Sequence, residues 1–285
     1  MNRKTRLLSG IDVRNTFGAE IGPSDKPLVQ KDEGRVLYVD HCDTEALRKR
    51  YATESTVDIS KLHVDAVWGE RSLREALLES LRLRGEPCDE LALDYVVASH
   101  VIEHVPDFVT WLDEVLDVLR RDERQPGSLR LAVPDRRYSF DCLRRTSDLS
   151  DIVEAYALRR RRPSAGRVLD FALLMSEVDC TKAWGGELTP ASLKRGYTLD
   201  QALGLARDAE FNGAYHDVHC WVFTPQSFAA LCCELAGHGL MHFECEWIDD
   251  TRRNELEFLA SLKPARSAAL ALQSWSEAKR FLAAA

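Results

Sequence analysis

The chain has 285 residues, 45% of them hydrophobic, enough to bury one large core or one core with a small appended subdomain. A formal net charge of -8 argues against the basic footprint of a nucleic-acid binder, and no apolar run is long enough to span a bilayer. The basic start, Met1 to Arg6, is not followed by an apolar signal core, and the eight cysteines form no CxxC pair, so free thiols and a cytoplasmic location are expected.

In chain order, Thr16 to Ile21 reads as a first strand ending at Gly22-Pro23, and Arg35 to Asp40 as a second. Asp43 is placed to cap a helix running to about Tyr51. Asp65 to Trp68 is a short third strand, and Leu73 to Leu83 is helical in pattern, stopped by Pro87. Tyr95 to Ser99 is a β-rich apolar run suited to a central strand covered on both faces. Pro106-Asp107 opens a helix with Phe108, Leu112, Val115 and Leu119 on one stripe and Arg120-Arg121 at its end. Leu129 to Val133 is the next strand.

From about Asp141 to Tyr215 charge and helix formers dominate, and a mainly helical insertion is expected. Its Arg159-Arg160-Arg161-Arg162 run reads as a solvated helix end. Val218 to Phe223 is expected to be extended. Thr224-Pro225 starts a helix as N-cap and first-turn proline. Leu240 to Ile248 and Leu256 to Leu262 are two more strands, an antiparallel pair, and an alanine-rich helix follows Ala265. The pattern predicts an α/β fold: a Rossmann-like, mixed seven-stranded sheet with helices on both faces and a mainly helical insertion. Residues 1–140 would form the first half of the domain, 141–215 a mainly helical insertion or cap, and 216–285 the elements completing the sheet.

Open α/β sheets bind ligands at the carboxyl ends of their strands, near the point where strand order reverses. The segments at those ends are Glu20-Ile21-Gly22-Pro23 after the first strand, Asp40 at the end of the second, and Ser99-His100-Val101-Ile102-Glu103-His104 after the fourth. A carboxylate at Asp40, about twenty residues past a glycine turn, suits the two hydroxyls of a ribose.

These residues resemble the class I S-adenosylmethionine-dependent methyltransferases, in particular the type-11 group. The likeness rests on Glu-Ile-Gly-Pro at 20–23, Tyr-Val-Asp at 38–40, the run from Asp94 to Asp107, and Leu-Ala-Val-Pro-Asp at 131–135. A narrower resemblance, to a bacterial subgroup associated with surface-glycan and sugar modification, rests on Arg137 to Asp141 and His219 to Pro225. The resemblance implies S-adenosylmethionine as cofactor. Glu20 would face the methionine ammonium, and Gly22 and Pro23 would let the backbone approach. Asp40 would hold the ribose. Glu70, Ser72 and Leu73 would contact adenine, and Ser99 and His100 would line the methionine side. Ser24 and Lys26 depart from the pattern, standing where later glycines of the cofactor loop are usual.

Methyl transfer to a small-molecule or sugar hydroxyl is the expected activity. An alcohol must lose a proton, and imidazole is a neutral base at physiological pH. His219 is the first candidate and His104 the second, with Asp217 or His216 holding the ring. His216-Asp217-Val218-His219 is read as an extended run that turns both histidines to one face. Tyr138, His216 and Trp221 are candidate acceptor contacts. The same histidines, with Glu103, have the donor types of a divalent-metal site, but core packing and base catalysis rank ahead and no metal is assigned. A homo-oligomer is compatible with the sequence. The alternatives are a catalytically silent methyltransferase-like binding module and an N-methyltransferase of a small metabolite.

Overall fold

A computed structural model describes residues 2–88 and 90–284. Its elements run, in order, α1 (Arg3–Leu7), β1 (Phe17–Ile21), β2 (Arg35–Asp40), α2 (Thr44–Arg50), β3 (Ala66–Val67), α3 (Leu73–Leu83), β4 (Tyr95–Ser99), α4 (Phe108–Val118), β5 (Ser128–Pro134), α5 (Leu149–Ala157), α6 (Ala165–Leu174), α7 (Cys180–Trp184), α8 (Leu199–Arg207), α9 (Pro225–Gly237), β6 (Phe243–Asp249), β7 (Glu257–Pro264) and α10 (Ala268–Ala284). The seven strands form one sheet in the order β3-β2-β1-β4-β5-β7-β6. The first five are parallel, and β7 runs antiparallel between β5 and β6. This is a Rossmann-like mixed sheet, and its order reverses between β1 and β4. No helix of the described residues is long and apolar enough to cross a membrane.

The two faces of the sheet are covered unequally. Ala19, Ile21, Leu37, Val39, Val96, Ala98, Leu129, Leu131 and Val133 point to one face and share a core with α3, α4, α5, α9 and α10. The local sequence explains these helices. Ser72 and Glu75 form a reciprocal capping box at the start of α3, and Leu73, Ala76, Leu77 and Leu81 then fall on one buried stripe. Asp107 caps α4. Thr224 caps α9, with Pro225 in its first turn.

Val36, Tyr38, Tyr95, Val97, Ala132 and Leu259 point to the other face, which is covered by Leu7 and Leu8 of the first helical segment and by Leu28 and Val29. Residues 22–34, between the parallel strands β1 and β2, contain no helix. The crossover packs on the sheet as an irregular loop. Tyr38 donates its hydroxyl to the Val29 carbonyl at 2.8 Å to hold it there.

Two predicted details differ. The 108–118 helix ends before Arg120-Arg121, because Leu119 turns extended and bridges Leu93, and Arg120 pairs with Asp94. Residues 218–222 stay outside the sheet, and only Phe223 bridges, to Asp135. The four-arginine run follows α5. Arg159 takes a left-handed turn, Arg160 pairs with Glu154 and Arg162 donates to the Gly213 carbonyl. Residues 141–215 carry α5 to α8, and all eight cysteines are free.

Candidate functional site

The candidate residues gather at the carboxyl ends of β1, β2 and β4, astride the reversal point. Gly22 leaves β1 with a φ of +63°, and a Cβ there would come within 2.8 Å of Val101 Cγ2. A glycine is therefore required both for the turn and for close packing against the loop after β4. Asp40 is largely buried. Its Oδ1 accepts from the backbone and ring nitrogens of His41, at 2.8 and 2.7 Å. Its Oδ2 has no hydrogen-bond partner among the described residues. A cavity of about 440 Å³ lined by Phe17, Arg35, Leu81 and Leu91 lies at the opposite, amino ends of β1 and β2.

Glu20 has a different task from the expected one. Ala19 and Ile21 point to the helical face, so Glu20 points to the thinly covered face. There its two oxygens accept the backbone N–H groups of Leu28 and Val29, at 2.8 and 3.0 Å. Burial pushes its carboxyl up to about 7, against the pull of those two hydrogen bonds. Glu20 anchors the crossover loop and does not face the crevice. The adenine contacts also need correction. Ser72 is occupied by its capping box and Leu73 is fully buried in the core, its N–H donated to Glu114 at 2.7 Å. Glu70 alone of the three is exposed.

Ser99 and His100 meet a partner the sequence did not suggest. Arg3 donates to the Ser99 hydroxyl at 2.5 Å and also grips Glu257 at the start of β7. His100, held at a φ of +54°, donates from Nε2 to the same Glu257 at 2.6 Å. Burial raises the Glu257 carboxyl, but Arg3 and His100 outweigh it and bring it down to about 2.

Two aspartate–histidine pairs stand beside this cluster. His219 donates from Nδ1 to Asp141 at 2.6 Å, and Asp141 is also gripped by the fully buried Arg144. His104 donates from Nδ1 to Asp217 at 2.8 Å. Their rings meet edge to face, with centroids 4.5 Å apart. Burial would raise the Asp217 carboxyl, but the His104 hydrogen bond and nearby Arg50 and His41 hold it well below its ordinary value. Arg50 donates to both Asp217 and His41 Nε2. A continuous polar chain thus runs from Asp40 through His41, Arg50 and Asp217 to His104.

The expected side-chain directions of 216–219 are corrected. Residues three apart in an extended chain point to opposite faces. His216 turns away to Asp208, at 3.0 Å, while His219 is buried against Phe140 and Phe171. Trp221 is core, 2% exposed, with its indole N–H on the Val105 carbonyl. Tyr138 stacks on Trp184, with ring centroids 3.9 Å apart. Arg3, Arg50, Asp141 and Glu257 went unnoticed as site residues because each comes from a distant part of the chain. Asp141 alone carried a signal, as the last residue of the Arg137–Asp141 string.

No family model and no curated protein matches this chain. Solved structures resemble it at low identity. One from Rhodobacter sphaeroides, named provisionally as a Zn-dependent alcohol dehydrogenase, is 13% identical over 92% of this chain and 88% of its own, with a TM-score of 0.45. The CcbJ methyltransferase from Streptomyces caelestis is 8% identical over 92% and 94%, with a TM-score of 0.43. An S-adenosylmethionine-dependent methyltransferase from Mesorhizobium loti is 14% identical over 91% and 95%, with a TM-score of 0.40. At these identities the likeness is one of fold alone.

Proposed function

We infer that the chain is an S-adenosylmethionine-dependent methyltransferase acting on the hydroxyl of a small molecule or sugar. The observation that carries this reading is the polar chain from Asp40 to His104, which joins the ribose position at the end of β2 to an oriented imidazole beside β4. The adenosine half of the cofactor suits the free Oδ2 of Asp40 and the Gly22 turn. The amino-acid half is zwitterionic, and Arg3 and Glu257 beside Ser99 are the charges that would meet it. They would take the role expected of Glu20. When bound, the sulfonium supplies an electrophilic methyl group.

The protein's own work is to hold the acceptor in line, exclude water and take up the hydroxyl proton. His104 has 29% of its side chain exposed against 5% for His219, so His104 is the imidazole an acceptor reaches first. With Nδ1 committed to Asp217, its Nε2 presents the lone pair of a base. The His219 ring packs edge to face against it. Phe140, partly exposed against the His219 ring, and the helical segment 141–215 supply the remaining walls.

The test is calorimetric titration with S-adenosylhomocysteine, followed by a screen of sugars and small alcohols with labelled cofactor. Saturable binding that Asp40→Asn weakens supports the reading. One observation favours the silent binding module instead: Arg3 and Glu257 already satisfy one another where the amino acid would sit. Absence of heat with both cofactor and product decides for that module.

A further inference from the structure

Glu103 is 1% exposed, and neither of its carboxylate oxygens has a hydrogen-bond partner among the described residues. An ionised carboxylate withdrawn from water without compensation is unfavourable. Its neighbours in the site are treated differently. Asp141 has Arg144, Asp217 has Arg50 and Glu257 has Arg3. No lysine or arginine pairs with Glu103 among the described residues. What it faces are imidazoles: His219 Nε2 at 3.9 Å and His100 Nδ1 at 3.6 Å, both beyond hydrogen-bond reach.

We propose that Glu103, His104 and His219 bind a divalent transition-metal ion. One donor atom from each lies within 4.8 Å of the others. Both histidines have Nδ1 fixed on an aspartate, which leaves Nε2 for the ion. A carboxylate behind each ligating imidazole fixes its tautomer and orientation and raises its basicity. The backbone is held as well. The Glu103 carbonyl accepts the N–H groups of Cys220 and Trp221, at 2.7 and 3.1 Å, which locks the two ligand-bearing segments together. Metal–donor bonds of about 2.0–2.2 Å place tetrahedral donors roughly 3.3–3.6 Å apart, so the side chains need shift by only about 1 Å. Two imidazoles and one carboxylate are a set that Zn2+ takes while keeping a position open, and Fe2+ shares this donor chemistry. The ion supplies the charge Glu103 lacks.

A second grouping of donors, Asp40, His41 and Cys42, fails on the same criteria. His41 has Nδ1 on Asp40 and Nε2 on Arg50, so neither nitrogen is free. His104 Nε2 is a ligand in the metal-bound chain and free to act as a base only in the metal-free one, so the proposal stands apart from the reading of His104 as base, and its test is read from binding and not from turnover.

The full chain, without an affinity tag containing histidine, is stripped with chelator and titrated with Zn2+ by calorimetry and with Co2+ by visible absorption. We expect one equivalent to bind, with a Co2+ spectrum of nitrogen and oxygen ligation lacking a thiolate charge-transfer band. Glu103→Gln should weaken Zn2+ at least tenfold, and Asp141→Asn, a positioning change, about 10–100-fold. Cys42→Ser should leave the affinity unchanged. No stoichiometric binding, a thiolate band, or loss in Cys42→Ser without loss in Glu103→Gln overturns the proposal. Should Glu103→Gln fail to fold by circular dichroism, the Co2+ spectrum of the unaltered chain and the Asp141→Asn titration decide.

Discussion

Arg3 of α1 and Glu257 of β7, 254 residues apart in sequence, form a two-point ion pair at the mouth of the site. The Glu257 carboxyl is lowered from 4.5 to about 2. Its contribution is therefore fully present above pH 4.5 and is lost as pH falls toward 2. Arg3→Met should destabilise the protein by about 1–3 kcal/mol at pH 7, a value discounted for the partial exposure of Arg3. Urea unfolding at pH 7 and at pH 2.5 checks this. The deficit should be clearly smaller at the lower pH, and an equal deficit at both would show that the pair's charge is not what matters.

Glu20 has the opposite sign. Its carboxyl is raised to about 7 from 4.5, so in the folded state it keeps a proton that the unfolded chain releases. Stability from this group falls as pH rises from 4.5 to 7. Glu20→Gln leaves one of the Leu28 and Val29 amides without its acceptor, costing about 1–3 kcal/mol near pH 4.5. The gap between variant and parent should narrow toward pH 7. A constant gap across that window would place the proton elsewhere.

Gly22 and Gly204 should respond in opposite ways to alanine. At Gly22 the left-handed backbone and the 2.8 Å approach to Val101 both resist a Cβ, and a loss of about 1–2 kcal/mol or more is expected. Gly204 lies inside α8 with open space around it, and alanine there should add about 0.5–1 kcal/mol. Thermal melts of the two variants give the comparison directly.

For the proposed reaction, Asp40→Asn should weaken S-adenosylhomocysteine by about 1.5–3 kcal/mol, the usual worth of one hydrogen bond to a charged group. His104→Gln should leave that affinity nearly unchanged and reduce turnover by about 10²–10⁴-fold once an acceptor is found. Calorimetry and single-turnover assays separate the two effects. A His104→Gln protein with full turnover would remove His104 as the base.

Sequence patterning located the sheet well because its signals are local. The β2 and β4 boundaries follow from apolar runs and the start of α2 from the Asp43 cap, which lies within a few residues of what it stabilises, whereas Ser72, expected at the adenine, caps α3. Burial was harder to read. Trp221 and Leu73 bear the residue types of a binding surface, yet both point into the core. Glu20 keeps its position in the resembling motif, but strand parity turns it to the loop-covered face. The partners that orient the histidines were beyond reach for another reason. Asp141 meets His219 across 78 residues and Asp217 meets His104 across 113, and nothing periodic links such separations.

The first helix also bears on how the molecule comes together during synthesis. Arg6 reaches Asp249 and Glu255, as Arg3 reaches Glu257, so three of the acidic groups that receive α1 belong to the β6–β7 hairpin, while Lys4 meets Glu33 of the crossover loop. Residues 3–7 leave the ribosome some 240 residues before that hairpin does. Until then, Tyr38, Tyr95 and Val97 have only the crossover loop above them, and the apolar underside of the nascent sheet stays partly bare. The ion pairs of α1 are thus completed only when the β6–β7 hairpin is in place, and partly bare apolar surface before that favours association with other chains.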